Sequence, residues 1–346
     1  MCNTLDVKSH SINIKHVLIQ FCVILFLTGC HYQRECLISG QTMGTSYHIK
    51  YNVGFFFNHQ ALTRDIKQTL RDINHSMSTF DGESEISVFN QMKDITKRLP
   101  ISDHFFQVMT RAQKLHQITN GAWDGTVKPL VNLWGFGHTK NQPHKPDDIQ
   151  IEQRLKQVGF QNISITDHHL QKSIPNLELN LASIAKGFGV DQVASVLEKH
   201  GIENFLVEIG GEVFARGTKI NGRPWRVGIN RPEIDADVHD VYFALSLENK
   251  AIATSGDYRN YFMDGKNRYS HVIDPKTGRP VSNGIVSVSV ISDQCTFADG
   301  LATALMVMGH EAGIELVNGI SGTECLMIQE SDSGFKLFYS DHFPRQ

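Results

Sequence analysis

The chain has 346 residues, of which 40% are hydrophobic and 20% charged, enough to build the buried core of about two average domains. Its 33 basic residues against 36 acidic ones give a formal charge of -3, which excludes the basic footprint that a nucleic-acid binder needs to neutralise phosphates. No repeat or low-complexity block interrupts it, so it is neither a solenoid nor a disordered chain.

The first segment reads as an address. Lys8 and Lys15 precede the apolar run Val17 to Leu27, which is the length of a signal-peptide core and well short of the ~20 residues that span a bilayer. The run ends in Leu27-Thr-Gly-Cys30, which resembles the lipobox of bacterial lipoproteins, where cleavage precedes an acylated cysteine. Residues 1–29 are therefore expected to be removed, with Cys30 as the lipidated first residue of a mature chain 30–346. An ordinary anchor with an incidental cysteine is the competing reading. Of the six cysteines, Cys36, Cys295 and Cys325 follow Cys30. No CxxC pair exists among them, which removes zinc-ribbon and thioredoxin chemistry.

Next, Leu62, Ile66, Leu70, Ile73 and Met77 recur at helical spacing, as do Phe105, Met109, Ala112, Leu115 and Ile118 behind Ser102 as N-cap. These two amphipathic helices flank the segment Ser78 to Glu85. The polar, proline-bearing stretch 138–148 is a candidate subdomain seam. A third helix is expected from about Ser183 to His200, stopped by Gly201. Strands are expected over 205–209, 225–229, 241–247 and 285–291; the last alternates Val and Ser, which predicts one buried face. A further helix should cover Ala298 to Met308. Helices first, then strands punctuated by helices, gives an α+β fold.

Gly187-Phe-Gly189 lacks the third glycine of a dinucleotide fingerprint, and no GxxxxGK[ST], HExxH or GxSxG motif occurs. Hydride transfer on a Rossmann sheet, P-loop hydrolysis, zincin proteolysis and α/β-hydrolase chemistry all lose their signatures. What remains are small polar clusters. Asp299 and Thr303, four apart on one helix, offer hard oxygen donors of the kind Mg²⁺ takes, although an acidic residue near a helix start also simply complements the dipole. His271 stands three before Asp274 in a Pro/Gly turn able to hold imidazole and carboxylate together, or to be a plain turn. Glu208-Ile-Gly-Gly-Glu212 reads equally as a strand end with a glycine turn, and Gly121-Ala-Trp-Asp124 as a helix cap beside a packed Trp.

Met43-Gly-Thr-Ser-Tyr47, Met77-Ser-Thr-Phe80, Ser84-Glu-Ile-Ser87, Gly121-Ala-Trp-Asp124, Pro129-Leu-Val-Asn-Leu-Trp-Gly-Phe-Gly137, Ser183-Ile-Ala-Lys-Gly187, Glu208-Ile-Gly-Gly211, Thr254-Ser-Gly-Asp-Tyr-Arg-Asn260, His271-Val-Ile-Asp-Pro275 and Ala298 through Thr303 follow one another in this order. Ten motifs from about Ser39 onward resemble those of the ApbE family, the bacterial FAD:protein FMN transferases. The resemblance implies an α+β, T-fold-related architecture of two subdomains with antiparallel-rich sheets and flanking helices. It also implies an Mg²⁺-dependent enzyme, lipid-anchored on the periplasmic side of the inner membrane. Such an enzyme splits FAD and esterifies FMN to a Thr or Ser hydroxyl of flavin subunits of the sodium-pumping NADH:quinone oxidoreductase or the related Rnf complex.

Carried over by motif, the metal ligands are the backbone oxygen of Ser183 and the side chains of Asp299 and Thr303. Flavin and adenylate contacts fall on Met43, Phe80, Ala122, Trp123, Asp124, Asn180, Lys186 and Ile273. His271 is the candidate general base, with Asp257 and Asp274 next in line. Asn180 stands where many members carry Asp, Phe80 where Tyr is frequent and Gly300 where Ala is common. An Mg²⁺-dependent FAD pyrophosphatase and a non-catalytic FAD-binding lipoprotein are the alternative functions.

Overall fold

The computed structural model describes residues 33–137, 143–233, 241–257, 260–265, 267–332 and 334–345. The expected signal segment, Cys30 and residues 138–142 of the 138–148 seam lie outside the described residues. The described chain opens on a hairpin, β1 (Gln33–Thr42) and β2 (Thr45–Gly54). Helices α1 (His59–Met77) and α2 (Glu85–Gln91), strand β3 (Leu99–Pro100) and helix α3 (Asp103–Ile118) follow. Next come α4 (Lys128–Leu133), α5 (Asp148–Leu155), the short strands β4 (Ile163–Thr166) and β5 (His169–Lys172), and α6 (Ala182–Lys199). The second half holds β6 (Phe205–Ile209), β7 (Glu212–Arg216), β8 (Trp225–Asn230), β9 (Val241–Leu247), β10 (Lys250–Gly256), β11 (Tyr261–Asp264) and β12 (Asn267–Ser270). It closes with β13 (Ile285–Ser292), α7 (Cys295–Met308), α8 (His310–Asn318), β14 (Glu324–Ser331) and β15 (Gly334–Tyr339).

Eight strands form one antiparallel sheet in the order β1-β2-β6-β7-β10-β13-β14-β15. α6 and α7 lie on one face, where Val190, Val193 and Leu197 of α6 and Leu301, Ala302 and Leu305 of α7 are buried against strand residues such as Val207 and Val288. The β8–β9 ribbon closes the other face through Trp225, Ile229, Leu245 and Leu247. Burying each such large apolar side chain contributes roughly 1.5–3 kcal/mol. The fold is thus α+β, a sheet between helices and a ribbon.

The expected helices form where the apolar spacing placed them, and the side chain of Ser102 accepts the Phe105 N–H as the N-cap of α3. Three differences stand out. The described chain begins with two strands of the main sheet rather than with helices. A short helix, α2, capped by Ser84, follows the 78–84 segment directly. Both faces of β13 are buried, not one: Val288 and Val290 join the helical side, while Ser287 and Ser289 are 1% exposed and Ser289 bonds Thr254 across the ladder at 2.8 Å. Central strands in a layered fold are covered twice, so alternation there marks two different neighbours rather than core and water. Cys36, Cys295 and Cys325 are free thiols. Among the described residues no helix is long and apolar enough to cross a membrane.

Candidate active site

Two helices meet where only glycine fits. A Cβ on Gly187 of α6 would stand 2.4 Å from the carbonyl oxygen of Cys295 and 2.8 Å from the Asp299 Cβ, so α7 reaches this close only because Gly187 has no side chain. In return the Gly187 N–H donates to Asp299 Oδ2 at 2.9 Å. The same N–H stands four residues after Ser183, whose carbonyl it faces within α6.

Asp299, Thr303 and Val307 form one stripe of α7 and line a cavity of about 410 Å³. Ala182, Ser183 and Lys186 at the N-terminal end of α6 form the opposite wall, with Thr254, Ser255 and Gly256 at the end of β10. Thr303 Oγ1 lies 3.0 Å from Ser255 Oγ. Lys186 donates to Glu212 Oε1 at 2.9 Å, and Glu212 Oε2 is buried without a hydrogen-bond partner. Burial works against the Lys186 charge, but the Asp299 and Glu212 carboxylates outweigh it and hold the ammonium well above its ordinary pKa. Burial raises Asp299, against the pull of Lys186 and the Gly187 N–H. Burial, then the Asp299 carboxylate, pushes Glu212 up to about 8, so two buried carboxyls share one ammonium at a cost to their ionised forms that a bound cation would relieve.

The third wall is the loop after α3. Asn120 and Gly121 take left-handed backbone there, at φ 48° and 75°, which turns the chain so that the Trp123 N–H meets Thr119 Oγ1 and its indole N–H donates to Ser183 Oγ at 3.0 Å. Asp124 lines the cavity while its carboxylate braces the loop, accepting from Thr126 N and Oγ1 and from Phe160 N. Asn180 is tied to Gly125 O and, through Oδ1, to Ala182 N at the start of α6.

The 271–275 loop completes the enclosure with His271, Val272, Ile273 and Pro275. Asn260 O accepts from His271 Nδ1 at 3.0 Å. A carbonyl only accepts, so Nδ1 carries the proton and Nε2 keeps its lone pair. Burial lowers the His271 pKa, partly offset by the Asn260 bond, so the ring is neutral near pH 7. Asp274 does not share the site with it. Its oxygens accept from Lys276 N and Thr277 Oγ1 and close the turn. Asp257 is held by Arg268 at 3.0 Å.

Ten of the expected site residues therefore line one cavity: Ala122, Trp123, Asp124, Asn180, Ser183, Lys186, His271, Ile273, Asp299 and Thr303. Two do not. Met43, at φ 51°, packs its thioether beside Gly189 on α6, and Phe80 is 77% exposed. Tyr258 and Arg259 of the Thr254–Asn260 motif lie outside the described residues. Glu212, Thr254 and Ser255 went unassigned from the sequence; Glu212 was within a quoted glycine cluster, but its bond to Lys186 exists only through the sheet.

Among the described residues no three His, Cys, Asp or Glu side chains cluster as a ready metal site. The donors present are one carboxylate, two hydroxyls and backbone oxygen, with the buried Glu212 carboxyl behind Lys186. That set fits Mg²⁺, which takes one or two carboxylates and completes its shell with substrate phosphate oxygens and water.

A family model described as the ApbE family matches residues 43–327. The FAD:protein FMN transferase of Vibrio cholerae is 42% identical over 332 residues, covering 95% of this chain and 98% of that protein. The enzyme of the same name from Escherichia coli K12 is 34% identical over 334 residues, covering 92% and 93%. Among solved structures, flavin transferase ApbE from Vibrio cholerae matches with a TM-score of 0.81, covering 90% of this chain and 98% of that one. The apo form of Pseudomonas stutzeri flavinyl transferase ApbE also gives 0.81 at 32% identity, covering 89% and 95%.

Proposed function

Because this chain belongs to the ApbE family, we propose that it carries FMN from FAD to proteins by esterifying the FMN phosphate to a Thr or Ser hydroxyl of a partner flavoprotein, with AMP released. The carrying observation is the convergence of His271, Asp299, Thr303, Lys186 and the Ser183 segment on one cavity. In the reaction, the acceptor oxygen forms a bond to the FMN phosphorus as the P–O bond to the AMP phosphate breaks. The acceptor proton goes to His271 Nε2, the lone pair left free by the Asn260 bond. Trp123, Ala122 and Ile273 supply apolar wall for FAD, and Asn180 and Asp124 hold the loops that shape it.

Asp299, Thr303 and the Ser183 carbonyl would hold Mg²⁺. Bound there, the ion would neutralise the charge that develops on the phosphate oxygens during transfer. Lys186 keeps its charge beside Asp299 and attracts the pyrophosphate. Glu212 fixes that ammonium in place.

The Leu27-Thr-Gly-Cys30 segment supports cleavage before Cys30 and a lipid anchor there, on the periplasmic side of the inner membrane. The family resemblance supports flavin subunits of the sodium-pumping NADH:quinone oxidoreductase and of Rnf complexes as acceptors. The test is the intact mass of such a subunit after incubation with this protein, FAD and Mg²⁺. An added FMN phosphoester is expected, lost by orders of magnitude in Asp299→Ala and less in Thr303→Ala, whose hydroxyl water can replace. Free FMN and AMP with every acceptor unmodified would instead establish a pyrophosphatase.

A further inference from the structure

The end of the main sheet farthest from the cavity carries a cluster of exposed apolar side chains. Phe56 is 97% exposed and Phe55 67%, their rings 5.4 Å apart edge to face at the end of β2. Asn52 of the same strand donates to Asn204 O and Thr218 O, which ties the 219–223 turn, with Ile220 51% exposed, to this strand. Arg34 lies over the Phe55 ring at 5.7 Å. Soluble surfaces scatter single apolar residues, whereas adjacent exposed aromatics mark a contact surface.

The chain itself indicates that occupant. Gln33 pairs with Gly54 in the hairpin register, so the first described residue stands next to Phe55. Cys30 is three residues away, at most about 11 Å of extended chain. Acyl chains on Cys30 would therefore bring lipid to the edge that Phe55 and Phe56 occupy.

Two elements relate this edge to the active site. α6 has its N-terminal residues in the cavity wall, while His200 at its other end meets Phe57, ring centroids 6.3 Å apart. Eighteen residues at ~1.5 Å each make that distance about 27 Å. The ten-residue strands β1 and β2 span a similar length, with the Met43-Gly44 turn at the site end and Gln33 and Gly54 at the other.

We propose that Phe55, Phe56 and Ile220 form a membrane-contact tip that enters the lipid interface beside the anchor and holds the active site roughly 25–30 Å above the bilayer. This rests on the lipoprotein reading of Cys30. Its consequence for the reaction is that the acceptor hydroxyl must be presented on a part of the partner that stands off the membrane, not at lipid level.

The test uses the full chain with Phe56→Trp, purified from membranes and placed on phosphatidylethanolamine/phosphatidylglycerol vesicles with brominated acyl chains. The native Trp123, Trp134 and Trp225 are each 1% exposed and provide a constant background. The introduced indole should shift to the blue and lose most of its emission to the bromolipid. Ile149→Trp, at a position 67% exposed on α5, should do neither. Vesicle-bound, acylated protein whose Phe56→Trp signal stays unshifted and unquenched would overturn the tip. A blue shift without vesicles in a sedimenting dimer would overturn it too, in favour of self-association. The mass of the N-terminal peptide separates the two readings. Quenching without acyl chains on Cys30 retains the tip and removes the anchor, whereas absence of both acylation and vesicle binding removes both.

Discussion

Gly187 is the residue on which the candidate metal site turns. It admits α7 to contact distance, and its N–H donates to Asp299. Gly187→Ala places a methyl group against the Cys295 carbonyl, so α6 and α7 must separate and the Asp299 carboxylate loses its orienting donor. Mg²⁺ affinity measured by calorimetry should fall about 10–100-fold, the usual cost of disturbing a ligand's support, while FAD still binds. His271 makes a prediction of different character. His271→Asn should reduce flavin transfer by ~10²–10⁴-fold with little change in FAD affinity. The base works when neutral, and burial places its pKa below the free imidazole value. The rate should therefore fall as pH drops through a value below about 6.5 and be flat above it. Phe136, whose ring centroid is 6.4 Å from that of His271, contributes to the burial. Phe136→Ala should move the acid limb to higher pH, and an unmoved limb would remove His271 as its source.

At the scale of elements, the site depends on how α7 is held. Asp191 of α6 accepts from the Cys295 and Thr296 N–H groups at the start of α7, and from Arg111. It is a cap supplied by a neighbouring helix, because α7 has no side-chain cap of its own. Asp191→Ala leaves two helix donors unpaired and Arg111 without its carboxylate, held only by Thr296 Oγ1, and should cost about 3 kcal/mol of stability, read as a lower urea midpoint. Mg²⁺ binding should weaken with it; a variant as stable as the parent would remove the cap. Such support was not legible in the sequence. The stripe of Asp299 and Thr303 was, since helical spacing alone puts them on one face. So were α1 and α3, whose apolar positions repeat cleanly. The β1–β2 hairpin escaped because β1 is an edge strand with most side chains in water, although Tyr47, Ile49, Tyr51 and Val53 alternate in β2. Glu212 and Ser255 escaped for another reason: sheet order, not spacing, sets each beside its partner.

Across the whole molecule, several groups buried for packing reasons set how the fold responds to alkali. Desolvation pushes the Cys325 thiol up to about 12 and Cys295 well above its ordinary value, whereas unfolded thiols titrate near 8.5. A folded pKa raised in this way gives stability that is complete below the unfolded value and is lost as pH rises toward the folded one. Lys172 works in the opposite direction. Its ammonium donates to Phe89 O, Asn90 O and Leu177 O in the interior, and desolvation lowers its pKa to about 8. Between that value and about 10.4 the unfolded chain binds the extra proton, so this group adds stability as pH rises. One unit of pH is worth about 1.4 kcal/mol for each fully coupled group. Two thiols against one amine should therefore leave a net loss above about pH 9, seen as a falling urea midpoint. Lys172→Met removes the opposing contribution and should make that fall steeper, while Cys325→Ala should make it shallower. Equal slopes in all three proteins would show that these buried groups do not govern alkaline unfolding.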